Sequence, residues 1–141
     1  MYEMTYYYNM IMDDDGNYYY RYFNLYFTEP ERTALLIYSN TILVGFAMIN
    51  PFSYINENPD YVMAEFTVFP KYRRFEYGKS AVEQIFEQYR GKWELKYSLN
   101  NFPADSFWNE VTEKYHPQKF SPNEYEEVLS FSTEVDNKSR D

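Results

Sequence analysis

The spacing of apolar and polar positions changes character several times along the chain. Residues 2–12, YEMTYYYNMIM, are apolar on all sides, which predicts a buried or partly buried helix. The cluster Asp13-Asp14-Asp15-Gly16-Asn17 interrupts it, and residues 18–27 resume a helical pattern that ends near Thr28-Glu29-Pro30. As a calcium loop the acidic cluster fails. Counted from Asp13, position six is Tyr18 instead of Gly and position twelve is Asn24 instead of Glu. A solvated turn between two helices is the expectation there.

From Thr33 the pattern becomes strand-like. TALLIYS and ILVGFAMIN are apolar runs on either side of Ser39-Asn40-Thr41, and they read as a hairpin. Residues 51–60 are polar with a proline near each end, hence a loop, and residues 61–69 form a third strand closed by Pro70. In residues 77–90, YGKSAVEQIFEQYR, apolar groups recur at Ala81, Val82, Ile85, Phe86 and Tyr89, the spacing of an amphipathic helix that Gly91 ends. Residues 92–98 alternate Trp93, Leu95 and Tyr97 on one face, as a strand does. Pro103 opens a second helix over 104–114, in the first turn where no N–H is needed. Short strands over 118–121 and 127–133 close the pattern as a hairpin, and residues 134–141 are polar. The expectation is an α/β fold: one domain over residues 1–134 with a polar tail over 135–141. Its sheet is antiparallel at first and parallel where a helix links 61–69 to 92–98.

Composition narrows the chemistry. The 141 residues suit one domain. Without cysteine there are no disulfides, thiolate zinc sites or Cys nucleophile. With His116 as the single histidine, neither a Ser-His-Asp triad nor a His-rich metal site is readily built, so no metal is expected. A net charge of −9 opposes sequence-independent nucleic-acid binding and contact with anionic membranes, and it steers cationic substrates inward. No stretch approaches 18 apolar residues and no basic-then-apolar leader opens the chain, so the expected location is the cytoplasm. The 18 Tyr and 12 Phe serve either as core filler or as an aromatic ligand wall.

Candidate chemistry concentrates in residues 68–80, VFPKYRRFEYGKS, where a strand runs through a basic loop into a helix N-terminus. The unpaired amides and dipole of a first helical turn favour an anion. Lys71, Arg73, Arg74 and Lys79 add positive charge, while the spaced glycines of the nucleotide P-loop are absent.

At these residues the chain resembles the GNAT superfamily of N-acetyltransferases, whose signature Q/R-x-x-G-x-G/A opens a helix after a strand ending V-x-P. Val68-x-Pro70-x-Tyr72-Arg73-Arg74 followed by Gly78-Lys79-x-Ala81 fits that frame. Gly91-Lys92-Trp93-Glu94 and Asn101-x-x-Ala104-x-x-Phe107-Trp108 look like the fifth strand and fourth helix of a bacterial subgroup of these enzymes. The resemblance implies a GNAT-like mixed, mostly antiparallel sheet flanked by helices. It also implies acetyl-CoA as cosubstrate and a primary amine of a small molecule or peptide as acceptor, cationic to suit the chain's charge. By the same resemblance, pantetheine would pair with the backbone of Thr67, Val68 and Phe69. Pyrophosphate would sit on the amides of Arg73, Arg74, Phe75, Glu76, Tyr77, Gly78 and Lys79 at the start of the helix that carries Ser80. Asn101 and Ala104 would meet the pantetheine arm, and Trp108 would lie near the thioester.

The sequence departs from the family pattern in three places. Glu76 replaces the first glycine of the signature, with Phe75 beside it. Trp108, a donor that does not release a proton near neutral pH, stands where many relatives carry a proton-donating tyrosine. The chain also starts as though inside the family's first helix, without the usual first strand. That strand would then come from a partner copy or be dispensable, which points to a homodimer or an accessory role. The Tyr-rich early segments are a candidate dimer face. These departures motivate a second reading: a catalytically weak or inactive module that acts through protein contacts. Glu65, on the cofactor strand, is the candidate general base, against the plainer role of a strand residue facing solvent or an arginine. His116 reads as a helix cap.

Overall fold

The computed structural model describes residues 2–6, 11–12, 18–19 and 31–134. Its first element corrects the sequence reading. Tyr2–Tyr6 is a strand, β1, where a helix was expected, and a usual first strand is therefore present. Ile11–Met12 (β2) and Tyr18–Tyr19 (β3) are short strands paired antiparallel, again in place of helix. The physical reason lies in the residues themselves. Tyr2, Met4 and Tyr6 alternate with Glu3 and Thr5, and Tyr and Thr favour extended backbone. The Asp13–Asn17 turn, residues 20–27 as a helix, and the tail over 135–141 lie outside the described residues.

The chain divides into two compact units, Met1–Asn50 with Ala64–Gly78, and Pro51–Met63 with Lys79–Asp141. In the first unit, β4 (Thr33–Ser39) pairs antiparallel with β1 and with β5 (Ile42–Asn50), so the expected hairpin is present. Asn40 takes the left-handed turn conformation at φ 57°, which asparagine tolerates well. Ile37, Val44, Ala47 and Ile49 are buried, and Ala64 packs on Ala34 and Met48. Strand β6 (Tyr61–Val68) has its second half in this unit. There Gly45 is required by close approach, because a Cβ on it would run into the Thr67 carbonyl.

In the second unit the start of β6 runs parallel to β7 (Lys92–Ser98), with Tyr61, Val62 and Met63 opposite Trp93, Glu94 and Leu95. Strand β9 (Glu126–Ser132) is antiparallel to β7, and the short β8 (Gln118–Phe120) pairs with β9. Helix α1 (Tyr77–Gln88) buries Ala81, Val82, Ile85 and Phe86, four of the five positions its spacing picked out. The Phe86 ring lies 5.0 Å from Trp93 and 5.3 Å from Phe131, and Tyr115 stacks on Phe131. Helix α2 (Phe102–Thr112) starts at an Asn101 cap with Pro103 in its first turn, and buries Trp108, Val111 and Thr112. A 3-10 turn over Glu113–Tyr115 follows and ends at His116, whose left-handed φ of 51° and N–H to Glu113 fit the capping role. The sheet is mixed and mostly antiparallel, with helices flanking it, as expected.

Candidate functional site

Strand β6 ends at Val68 and feeds a 3-10 turn over Pro70–Phe75. The exit is fixed from both sides. The Phe69 N–H donates to the Val44 carbonyl at 2.8 Å, and the Phe69 carbonyl accepts from Tyr72 N–H at 2.8 Å. Arg73 reaches back, its Nε donating to the Val68 carbonyl at 2.8 Å, so this cation braces the strand end. The Tyr72 and Tyr77 rings meet edge-on at 6.1 Å across the turn.

Glu76 is where the geometry turns informative. It takes φ 56° and ψ 20°, a left-handed conformation that glycine adopts freely and glutamate adopts at a cost of roughly 1–2 kcal/mol. The backbone at this position therefore takes a conformation open to glycine, although the side chain is a glutamate. The residue is exposed. A right-handed residue followed by a left-handed one forms a nest, in which consecutive N–H groups converge on an anion. Phe75 and Glu76 make that pair, and helix α1 begins at Tyr77 with no acidic residue in its first turn. The opening of α1 is thus a setting that favours an anion.

The remaining expected residues are distributed as follows. Thr67 through Gly78 belong to the first unit; Lys79, Ser80, Asn101, Ala104 and Trp108 belong to the second. Lys79 Nζ lies 3.3 Å from Glu110, a surface pair worth about 0–1 kcal/mol. Asn101 Oδ1 accepts from Ala104 N–H at 3.1 Å, so the Asn-x-x-Ala spacing is a helix N-cap in this fold. Trp108 is buried on α2, and its carbonyl accepts from Thr112 Oγ1 at 2.7 Å. Glu65 is exposed, yet partial desolvation by the surrounding protein raises its carboxyl above the ordinary range. A base with a raised pKa is better matched to neutral pH.

Sequence reasoning missed two features. Tyr97 is buried on β7; its hydroxyl donates to Glu127 at 2.8 Å and accepts from Asn109 at 3.0 Å. Burial first, and then the Glu127 bond, push this phenol far above its ordinary range, so it holds its proton and makes a poor acid catalyst. Glu94 is fully buried and accepts from Ser53 Oγ at 2.6 Å and Tyr54 N–H at 2.8 Å. Among the described residues, no cluster of three or more His, Asp or Glu could hold a metal ion, and no helix is long and apolar enough to cross a membrane.

Comparison with known proteins converges on one class. The sequence model of the Acetyltransferase (GNAT) family matches residues 2–112, and the chain belongs to that family. Its fold matches the ribosomal-protein-S18-alanine N-acetyltransferase of Escherichia coli with a TM-score of 0.67 at 10% identity, over 98% of this chain and 97% of that one. A GNAT family acetyltransferase from Elizabethkingia anophelis, solved with acetyl-CoA bound, matches at 0.61 and 10% identity over 93% and 97%. An acetyltransferase from Thermus thermophilus matches at 0.63 and 16% identity over 79% and 71%. At these identities the likeness is one of fold. A search of curated proteins found no match.

Proposed function

We propose that the chain transfers an acetyl group from acetyl-CoA to a primary amine of a small molecule or peptide, with a cationic acceptor favoured. The left-handed turn at Glu76, opening directly into α1, is the observation that carries this reading. The presence of acetyl-CoA in the Elizabethkingia anophelis relative supports the choice of cosubstrate. A cytoplasmic location goes with it.

Acetyl-CoA supplies an activated thioester. The amides over 73–79 hold its pyrophosphate, and the backbone of Thr67 and Val68, with Phe69 at the strand exit, runs along the pantetheine. The amine nitrogen bonds to the acetyl carbon, the carbon–sulfur bond breaks, and the amine's proton passes to Glu65 directly or through a water. The thiolate is a tolerable leaving group, with a pKa of about 8.5 for comparable thiols, so Trp108 need not donate a proton. Most of the acceleration then comes from positioning.

Thiol release from acetyl-CoA, followed with spermidine, lysine and an N-terminal-alanine peptide, tests this reading. Wild-type protein should exceed the amine-free rate with at least one amine. Glu65→Gln should slow that rate by about 10²-fold or more. No amine-dependent release at millimolar acetyl-CoA and amine would overturn the assignment.

A further inference from the structure

Within the second unit, a cleft of about 460 Å³ opens where β8 begins against β9. Ser130 and Ser132 of β9, Gln118, His116, Asp60 and Glu134 line it. None of these residues is among those expected to hold acetyl-CoA or to take the amine's proton. Ser130 is the first sign that the cleft has an occupant. It is only 8% exposed and stands in register with Glu94 on one neighbouring strand and Gln118 on the other. Glu94 spends its oxygens on Ser53 and Tyr54, and the Ser130 hydroxyl bonds to none of the described residues. A hydroxyl withdrawn from water without a partner carries a cost that alanine at this position would avoid. Because Ser130 lines the cleft, a molecule bound there can supply the missing partner.

The charges around the cleft select the kind of molecule. Asp60 accepts the Lys92 amide on Oδ2 at 2.8 Å, and its other oxygen has no partner among the described residues. The Glu134 carboxylate is exposed and likewise unpaired among them. The Lys92 ammonium also borders the cleft, but it lies 3.4 Å from Glu57, which offsets its charge. The Tyr115 ring is taken up by Phe131, stacked on it, and by Lys114 Nζ at 5.3 Å. What remains is two unpaired carboxylates beside a buried hydroxyl. An anion would be repelled, and a neutral ligand would leave both carboxylates unused. We propose that this cleft binds a small molecule carrying ammonium or guanidinium groups, whose N–H groups donate to Asp60, Glu134 and the Ser130 hydroxyl. Its volume falls within the roughly 300–1,000 Å³ of small-molecule sites. The site stands on the second unit alone and does not depend on the acetyltransferase reading.

His116 is the single histidine of the chain, so its ring-proton NMR signals report on this cleft alone. The test titrates the full chain, without acetyl-CoA, with agmatine and with cadaverine, and with glutarate as an anionic control; affinity is read by calorimetry in parallel. Wild-type protein should bind at least one of the two amines saturably and shift the His116 signals, and glutarate should do neither. Glu134→Gln and Asp60→Asn should each weaken amine binding by about fivefold or more, since each removes a charged acceptor. Asparagine at position 60 can still accept the Lys92 amide, so the fold is spared. Glu124→Gln makes the same charge change at an exposed position outside the cleft and should stay within about twofold of wild type. Ser130→Ala should weaken binding by about threefold or more while Tm stays level or rises, because the free protein gives that hydroxyl no partner. A serine with a purely structural role would instead lower Tm and leave affinity alone. No saturable binding of either amine at millimolar concentration overturns the proposal, as does equal weakening by Glu124→Gln. Amine binding that survives all three cleft substitutions belongs elsewhere in the chain and also overturns it, without bearing on acetyl transfer.

Discussion

The turn over residues 70–77 is shaped chiefly by main chain, with Arg73 bracing the strand before it, whereas the middle of the loop over 51–60 is held by one buried side chain. In the first, Phe69 is fixed by Val44 and Tyr72, and the left-handed step at Glu76 sets the amides that follow. The residue at 76 is exposed, so its identity matters less than the φ it permits. In the second, one buried carboxylate carries the contacts to Ser53 and Tyr54. A site built from amides can tolerate an unexpected residue inside its motif. The 51–60 loop depends on Glu94 at residues 53 and 54, while Asp60 and Glu57 tie it separately to Lys92.

That contrast can be broken at its most sensitive point first. Glu94→Ala removes both acceptors and leaves the Ser53 hydroxyl and the Tyr54 amide without them, which should cost about 2–4 kcal/mol of stability, read by urea denaturation. Gly45→Ala attacks the other region through backbone. Its Cβ runs into the Thr67 carbonyl, which cannot swing aside as a side chain would, so β5 and β6 must shift. The expected loss is about 2–3 kcal/mol, together with weaker acetyl-CoA binding. A stability change below about 0.5 kcal/mol in either variant would show the corresponding contact to be dispensable.

Tyr97→Phe is a smaller probe, of the side-chain network that joins β7 to Glu127 and Asn109. It should cost about 1 kcal/mol at neutral pH. The phenol's pKa is raised in the fold, so its contribution is complete below the unfolded value of about 10 and is lost as pH rises beyond that. Wild-type stability should therefore decline above about pH 10, and the variant should lack that part of the decline. Thermal unfolding at about pH 8 and about pH 11, on either side of that value, makes the comparison.

The sequence was legible wherever periodicity was undisturbed. The hairpin from Thr33, the strand before Pro70, both helices and the closing hairpin follow from alternation or from three-and-four spacing. At the N-terminus the many tyrosines hid an alternation that β1 reveals, because counting apolar residues discards their order. Glu94 was missed for a different reason. Alternation places it opposite Trp93, Leu95 and Tyr97, on the face that a half-covered sheet turns to solvent, but the 51–60 loop covers that face. Glu76 reads as a lost glycine in the motif, and only φ reveals that it takes a left-handed conformation that glycine adopts freely. The strand Tyr2–Tyr6 is present, which removes the absence of a first strand as a ground for an inactive module.

The central claim is that the amides around a left-handed residue 76 bind the cosubstrate, whatever side chain stands there. Calorimetric titration of acetyl-CoA into wild type, Glu76→Gly and Glu76→Pro tests it most directly. Glycine relieves the strain, should add about 1 kcal/mol of stability, and should keep the affinity. Proline locks φ near about −65° and removes one N–H of the nest, and it should weaken binding by at least about tenfold. Equal affinity in the proline variant and wild type, or no binding in wild type at millimolar acetyl-CoA, would contradict the account.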